Sequence, residues 1–308
     1  MIRGVNQIDM RLAHAAELAA LAGWLGADES AAGAGARRWQ ACNINLLLHE
    51  GAMPGVGALR PHEAGIAHFC VQARDPWPLA EALGNAGMAF TAPLTTLGNG
   101  THYAYGALPS GPIVEIESAT FVPEDLTGAW VAHIAFATPD LPRLMGFYAG
   151  LTGRRAVGGG KVPPRPENAV ITGYPDPRMR VGWVPCGNIM LEFWCYETPA
   201  TTARAVPVPN DAPGYPAFHF EVTGLGDGTD ALAHAGVGAL SAVTRDAGGV
   251  LHAEGVDPDG NRIGFVCFDE APQSLRALAA LADPWLMPRL GALRATLPPP
   301  HYRPEMTW

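Results

Sequence analysis

The sequence lacks the basic residues that nucleic-acid-binding proteins need. Its 308 residues include 20 lysines and arginines against 29 aspartates and glutamates, a net charge of −9, and no basic cluster. These numbers exclude a nucleic-acid partner. No run approaches the ~20 apolar residues of a membrane-spanning helix. The N-terminal MIRGVNQIDMRLAH has no apolar segment of a signal peptide, so we expect neither a membrane partner nor secretion.

Cysteine is scarce, and it lacks the spacing of metal-binding or redox motifs. The count is odd, no C-x-x-C occurs, and all five lie in or beside strand-like apolar runs: Cys42, Cys70, Cys186, Cys195 and Cys267. Such residues are typical of buried, reduced thiols. We therefore predict free thiols and a cytoplasmic location.

What the chain does contain is enough apolar sequence for a large core. Apolar residues make up 48% and charged residues 16%. At about 150 residues per domain, the length predicts two domains.

Four segments share one pattern, a short alternating strand, an Ala/Leu-rich helix and an apolar closing strand. The opening strands are predicted at 4–12, 65–73, 130–138 and 216–224, and the closing strands at 43–50, 112–118, 188–196 and 261–268. Further strands fit ENAVITGY, MRVGWVP and GGVLHAEGV between helix and closing strand.

Loop-like linkers rich in Pro, Gly and Ala separate some of these modules, at 50–65 and 198–216. We predict an N-terminal domain over 1–122, with modules 4–50 and 65–118. A C-terminal domain is predicted over 129–270, with modules 130–197 and 215–270. A helical extension and tail would occupy 271–308.

Strand alternation places polar residues on the less apolar face of their strands. Glu192 shares a face with Trp194 and Tyr196, His219 lies opposite two phenylalanines, and His133 faces away from Ile134. This pattern predicts sheets with one face packed on helices and the other lining a cavity.

A βαβββ unit repeated four times resembles the vicinal oxygen chelate superfamily, which includes glyoxalase I, methylmalonyl-CoA epimerase and type I extradiol dioxygenases. The resemblance covers 4–270 and rests on H-x-x-F at 133–136, GN-x-x-LEF at 187–193 and DPDGN at 257–261. It implies an α+β fold, with four modules paired into two cupped mixed β-sheets, outer helices and a C-terminal helical extension. It also implies a divalent metal held by the first and last strands of each module.

Carried over by position, the resemblance implies a C-terminal metal site made of His133, Glu192 and His219, with Gly264 in the fourth ligand place. Two imidazoles and one carboxylate suit Fe(II), with Mn, Zn or Ni as alternatives. The equivalent N-terminal positions are Gln7, Leu47, His68 and Glu115, a weaker ligand set because leucine cannot bind a metal. The sequence leaves open whether each cup forms within its own half, or whether modules pair across halves or subunits, and it also leaves open a homo-oligomer.

Other residues are candidates for chemistry around the metal. His252 and Tyr196 are predicted as catalytic groups, and Trp183, Trp194 and Arg180 as substrate-binding groups. Core packing is an equally good interpretation of the aromatic residues, and a solvent-facing position of His252. The Gly/Pro-rich residues 157–167 predict either a lid over the cup or an ordinary surface loop.

The predicted function is that of a metal-dependent enzyme whose small substrate chelates the metal through adjacent oxygens. Gly264 removes a carboxylate that could act as a base, which favours Fe(II)-dependent dioxygenase cleavage. A glyoxalase-like or epimerase-like lyase or isomerase is the first alternative. A metal-free protein that binds a small molecule is the second.

Overall fold

The computed structural model describes residues 2–31, 36–52, 59–96, 100–119, 128–204, 212–226, 228–268 and 271–281. Its strands are β1 (Ile2–Leu12), β2 (Asp28–Ala31), β3 (Ala36–Gln40), β4 (Asn45–Glu50), β5 (Gly65–Ala73), β6 (Ala89–Phe90), β7 (Thr95–Thr96), β8 (His102–Ala107), β9 (Ile113–Ser118), β10 (Ala129–Ala137), β11 (Val157–Lys161), β12 (Arg178–Cys186), β13 (Ile189–Thr198), β14 (Ala217–Val222), β15 (Thr244–Arg245), β16 (Leu251–Val256) and β17 (Arg262–Cys267). A 3-10 turn (Ala15–Leu18) precedes the helices α1 (Ala19–Leu25), α2 (Trp77–Asn85), α3 (Leu141–Thr152), α4 (Pro166–Thr172), α5 (Asp230–His234) and α6 (Leu275–Leu281).

The four predicted modules are present, and the α+β fold class is confirmed. Each predicted opening strand appears as β1, β5, β10 or β14, and each closing strand as β4, β9, β13 or β17. One segment differs, because ENAVITGY forms helix α4 and not a strand. Pro166 stands in its first turn and Gly173 ends it with a left-handed backbone, the usual signals for the start and stop of a helix.

The modules do not pair as the predicted division into 1–122 and 129–270 requires, in which the first would join the second and the third would join the fourth. One sheet has the strand order β15-β16-β17-β14-β1-β4-β3-β2, so it joins the first module to the fourth. The other has the order β11-β12-β13-β10-β5-β9-β8-β6, so it joins the second module to the third. At the centre of each sheet two opening strands run antiparallel, β1 beside β14 and β5 beside β10. Each sheet therefore contains chain from both halves.

Connection length gives a physical reason for this pairing. The second and third modules are joined by the short connection 119–128, and they lie in one sheet. The longer connections 51–64 and 199–216 each cross from one sheet to the other. Short connections favour neighbours in the same sheet, whereas long ones can span two layers.

A continuous hydrophobic core joins the two sheets. The inward faces of both sheets contribute fully buried side chains to one cluster, together with residues of α1, α2 and α3. Phe136 of one sheet and Phe218 of the other lie 5.5 Å apart between ring centroids, and Tyr148 of α3 contacts both. The opposite faces of the sheets are thus turned away from the core.

Buried polar contacts fix the sheets and the modules to one another. Asn188 binds the backbone of Val5 in the other sheet through both its amide nitrogen and its oxygen. The DPDGN turn is held by Asp257, which accepts hydrogen bonds from the hydroxyl of Tyr148 and from Asn261. The part of the predicted extension beyond residue 281 lies outside the described residues. None of the helices in the described part of the chain is long and apolar enough to cross a membrane.

Candidate metal centre

Four ligand-type side chains meet on the concave face of the nine-stranded sheet. His68 lies on β5 and His133 on β10, the two central strands, while Glu115 and Glu192 lie on the flanking strands β9 and β13. In the register, Glu192 pairs with Ala135, which pairs with His68, and Glu115 pairs with Cys70, which pairs with His133. The second and third modules therefore each contribute one histidine and one glutamate.

The geometry of these four residues converges on one point. His133 Nε2 lies 2.8 Å from Glu115 Oε2 and 3.2 Å from Glu192 Oε2. His68 Nε2 lies 3.2 Å and 3.7 Å from the same two oxygens. The four ligand atoms lie within 4.8 Å of one another, and all four residues are buried. Two neutral imidazoles and two carboxylates form a common ligand set for a divalent transition metal, and they fit such an ion here.

The charges of the site balance in either of two ways. Burial lowers the pKa of His68, but its hydrogen bonds to Glu115 and Glu192 outweigh burial and raise it. Burial likewise lowers the pKa of His133, and the surrounding acidic groups, Cys70 and Glu192 foremost, leave it well above its ordinary value. For both glutamates burial raises the pKa, and the two histidines bring it below its usual value. Two imidazolium protons or one divalent cation can therefore neutralise the carboxylates.

Two tryptophans hold the carboxylate of Glu192 in place. The indole N–H of Trp183 donates to Oε1 at 3.2 Å, and that of Trp194 donates to Oε2 at 2.7 Å. Both tryptophans are buried. The predicted aromatic wall residues thus orient a ligand, and neither serves only as packing. Outer partners of this kind fix the orientation of metal ligands in proteins.

A second network of buried hydrogen bonds lies next to His133. Gln72 accepts a hydrogen bond from the Trp130 indole and donates one to Glu117 Oε2 at 2.5 Å. Burial, reinforced by the charge of Glu115, raises the pKa of Glu117 to about 7. The thiol of Cys70 also points to Glu117 and lies close to His133. Cys70 and Cys186 are buried, and all five cysteines are free thiols.

A small pocket beside the candidate metal ligands is bordered by α4. Its free volume is about 20 Å³, room for about one water molecule. The cavity is lined by aromatic and apolar residues of the cup, by one ligand, and by the strand end and helix above it: Tyr103, Tyr105, Glu115, Met179, Trp194, Val162, Asn168, Ile171 and Thr172. Residues 157–161 of the predicted lid form strand β11, and the residues that border the pocket lie in the following segment and in α4.

His219 is not brought to the metal ligands, which corrects the predicted set of His133, Glu192 and His219. It lies on β14 in the eight-stranded sheet, where its Nε2 is 3.4 Å from Asp9 Oδ2. Gln7 pairs with it in the register. The predicted N-terminal ligand pair, His68 and Glu115, instead joins His133 and Glu192, while Gln7 stays in the other sheet.

The place of Gly264 is explained by His219. The two residues are paired neighbours on β17 and β14, and a Cβ at 264 would collide with the imidazole ring. The missing carboxylate is thus a feature of the second cup, and the metal cluster keeps both of its own.

Two further candidates lie away from the cluster. His252 is on β16 of the other sheet, its side chain is 38% exposed, and it pairs with Asp246 at 3.0 Å. Arg180 pairs with Cys195 on the face of the sheet opposite Glu192, and its guanidinium donates to the carbonyl of Gly159 at 2.8 and 3.1 Å. The predicted catalytic and substrate-binding roles of these two residues at the metal are therefore corrected.

Tyr196 remains close to the cluster. It is buried on the face of β13 that carries Glu192, and it packs against Trp194 and Tyr174. Burial raises the pKa of its hydroxyl, so the group stays protonated at neutral pH. A protonated phenol can donate a hydrogen bond but cannot act as a base.

One signal in the sequence points to the cluster that the structure brings together. Only the second and third modules carry both a histidine on the opening strand and a glutamate on the closing strand. A rule that pairs the modules carrying both a histidine and a glutamate would have placed the second and third modules in one sheet. No sequence signal predicts the hydrogen bonds from the two indoles to Glu192, because strand alternation alone does not fix where a ring nitrogen points.

Comparisons with known proteins identify the fold. No protein-family model matches the chain, and no curated protein matches it. Glyoxalase I from Zea mays is similar in structure, with a TM-score of 0.58 over 91% of this chain and 96% of that one, at 14% identity. A putative dioxygenase from Bacillus subtilis subsp. subtilis str. 168 has a TM-score of 0.57 over 98% of both chains, at 13% identity. The chain has the vicinal oxygen chelate fold.

Proposed function

We propose that this protein is a divalent-metal-dependent enzyme that moves a proton on a small substrate with adjacent oxygens. The observation that carries the proposal is the convergence of His68, Glu115, His133 and Glu192 within 4.8 Å in a buried cup. Burial of two carboxylates side by side without a cation would cost free energy. The cluster therefore favours the binding of a positively charged ion. A bound divalent ion would polarise the substrate oxygens as a Lewis acid.

The two glutamates differ in how firmly they are held. Glu192 receives two indole hydrogen bonds, which fix both of its oxygens. Glu115 contacts the two histidines and borders the cavity. Glu192 is therefore the permanent ligand, and Glu115 is the carboxylate free to take and return a substrate proton. A base of this kind contributes roughly 10²–10⁴-fold to the rate.

The cavity limits the substrate class. Its walls are apolar and aromatic, with Tyr103, Tyr105 and Trp194 among them. A free volume of about 20 Å³ is too small for an organic substrate, and we infer that α4, which borders the pocket, moves when substrate enters. We infer a compact substrate with an aromatic or apolar body next to its chelating oxygens.

Oxygenative cleavage is the second candidate, and the same difference between the glutamates favours it. If Glu115 does not bind the metal, then His68, His133 and Glu192 form the set of two histidines and one carboxylate that suits Fe(II). The two candidates differ in oxygen dependence. Turnover of 2-hydroxycarbonyl compounds without oxygen would support proton transfer, whereas oxygen uptake with catechols and iron would support cleavage.

Metal content is the first measurement. Protein purified anaerobically should contain about one equivalent of a divalent metal by elemental analysis, and Glu192→Gln should lose it. Glu197→Gln is the matched control, because Glu197 lies on the same strand, is 38% exposed and contacts only Lys161 among the described charges. Metal-free wild type after metal supplementation would contradict the proposal and support the metal-free binding protein. A metal retained in Glu192→Gln would contradict the ligand assignment.

A further inference from the structure

The concave face of the eight-stranded sheet carries charged residues that the metal centre does not use. Asp9 and Arg11 of β1 pair in the register with Leu47 and His49 of β4, and Leu47 pairs in turn with Arg38 of β3. The intervening residues on the same strands are fully buried in the core: Ile8, Met10, Leu46 and Leu48. The charged residues consequently share the face turned away from the core.

The carboxylate of Asp9 already has hydrogen-bond and ion-pair partners on this face. Its Oδ2 lies 3.4 Å from His219 and 3.6 Å from His49, and its Oδ1 accepts a hydrogen bond from Gln7 at 2.6 Å. It also acts on Arg38 at longer range. Its single negative charge is therefore shared between two imidazoles and one guanidinium.

The side chains of Arg11 and Arg38, by contrast, have no partner within ion-pair or hydrogen-bond distance among the described residues. Neither Arg11 nor Arg38 forms an ion pair or a side-chain hydrogen bond with any residue that the structure describes, and the Nε of each is buried. Neighbouring charges on the same sheet are paired: Arg262 with Glu254, and His252 with Asp246. An unsatisfied buried donor costs roughly 1–3 kcal/mol, and more when it is charged. A ligand with acceptor oxygens would remove that cost.

The face is open at one side, since the side chain of His49 is 29% exposed while those of Asp9 and His219 are 12% and 13% exposed. Gly264 has no side chain, and this leaves room in the cup for the imidazole of His219, which lies directly over it. In a protein with a net charge of −9, Arg11 and Arg38 place two positive charges in this cup, and Asp9 and Asp246 act on Arg38 only at longer range.

We propose that this second cup binds a small oxyanion, a phosphate or carboxylate group, through Arg38 and Arg11. Guanidinium groups bind such planar or tetrahedral oxyanions through two parallel N–H donors. His49 and His219 would border the anion, and Asp9 would hold both imidazoles in place. The site is separate from the metal ligands, and it does not depend on the proposed reaction.

Calorimetric titration of metal-free protein with inorganic phosphate, and separately with malonate, tests the site. Sodium chloride at matched ionic strength is the reference. We expect one saturable site for at least one of the two anions, and the tighter one identifies the oxyanion group. Arg38→Gln and Arg11→Gln should each weaken binding at least tenfold. Arg37→Gln should leave it unchanged, because Arg37 is next on the strand, exposed and already paired with Glu29.

A second readout uses the unaltered protein. Phosphate or malonate should shift the side-chain nitrogen resonances of His49 and His219 and leave those of His68 and His133 in place. The proposal is overturned if neither anion binds beyond the chloride reference. It is also overturned if both arginine variants bind like the wild type, or if only His68 and His133 respond.

Discussion

At the scale of single residues, the site depends on hydrogen bonds that hold its ligands. Without the indole hydrogen bonds, Glu192 could sample several side-chain rotamers before a metal binds. The indoles of Trp183 and Trp194 instead fix both oxygens, which lowers the entropy lost on binding. The shorter of the two bonds comes from Trp194.

Trp194→Phe should weaken metal binding about tenfold, since loss of an outer partner typically costs 10–100-fold in affinity. Phenylalanine keeps an aromatic ring in the cavity wall but cannot donate to Glu192 Oε2. Competition with a chromophoric chelator measures the change. Trp77→Phe is the control, because Trp77 is 50% exposed and lies on α2. Equal affinities for the wild type and Trp194→Phe would show that the bond does not orient the ligand.

The residues at the metal differ in how far the sequence could predict them. Strand alternation predicted the faces of His133 and Glu192, and the resemblance to a metal-binding superfamily predicted their role as ligands. His219 was assigned to them because it occupies the equivalent position in the next module along the chain. Position within a module is encoded locally, whereas the choice of partner module depends on contacts between distant residues. Local patterns therefore predicted the ligands but could not predict how they are grouped.

At the scale of secondary-structure elements, α4 borders the cavity beside the candidate metal ligands. The helix is short, and Asn168 anchors it by donating to the carbonyl of Pro163 at 2.9 Å. Asn168 is buried and borders the cavity, whereas Val170 on the same helix is 44% exposed. The sequence of this segment contains a proline, a glycine and three β-branched residues, which is why it could not be assigned reliably to a helix or a strand.

Asn168→Ala should speed the loss of bound metal to excess EDTA several-fold, because the helix would open more often. The equilibrium affinity should change less, since no ligand is altered. Stopped-flow or manual mixing with metal analysis gives the rate. Val170→Ala should behave like the wild type, and an unchanged rate in Asn168→Ala would mean that α4 does not limit access.

Strands β1 and β14 are linked by Asp9 and His219, and this link predicts a pH dependence. Burial raises the pKa of Asp9, but His219 outweighs it and leaves the value below the ordinary 3.8. Burial lowers the pKa of His219, but Asp9 outweighs it and leaves the value above the ordinary 6.5. The carboxylate contribution is present above about pH 4 and is lost as the pH falls further. The imidazolium contribution is complete below about pH 6.5 and is lost as the pH rises through the folded-state pKa.

Asp9→Asn should therefore lower the free energy of unfolding most near pH 5.5, by about 2 kcal/mol, with a smaller loss at pH 9. Urea titrations at the two pH values measure both differences. Glu29→Gln, which removes an exposed ion pair, should have a small effect at either pH. A loss for Asp9→Asn that is the same at both pH values would contradict the proposed protonation of His219.

At the scale of the whole molecule, the two sheets share one core. The core cluster takes side chains from all four modules, and α3 packs against rings from both sheets. Neither half of the chain closes a sheet by itself. The protein should therefore unfold as one cooperative unit, although its length is that of two domains.

Calorimetry should give a single transition whose calorimetric and van't Hoff enthalpies agree. Metal at 1,000 times its dissociation constant should stabilise the folded state by about 4 kcal/mol and move the whole transition upward. Removing the metal with a chelator should move it back without splitting it. Two resolved transitions, only one of them sensitive to metal, would contradict a single cooperative core.

The pairing of inner with inner and outer with outer modules also has a consequence for the architecture of the chain. Residues 65–198 form one continuous stretch that contains β5–β13 and all four residues of the candidate metal cluster. The first and fourth modules flank this stretch in sequence and pair with each other in the eight-stranded sheet. In the terms used for domain insertion, the outer pair is a host and the metal-binding pair is its guest. The guest holds a complete ligand set, so the host is free to acquire a different role while the metal centre stays intact.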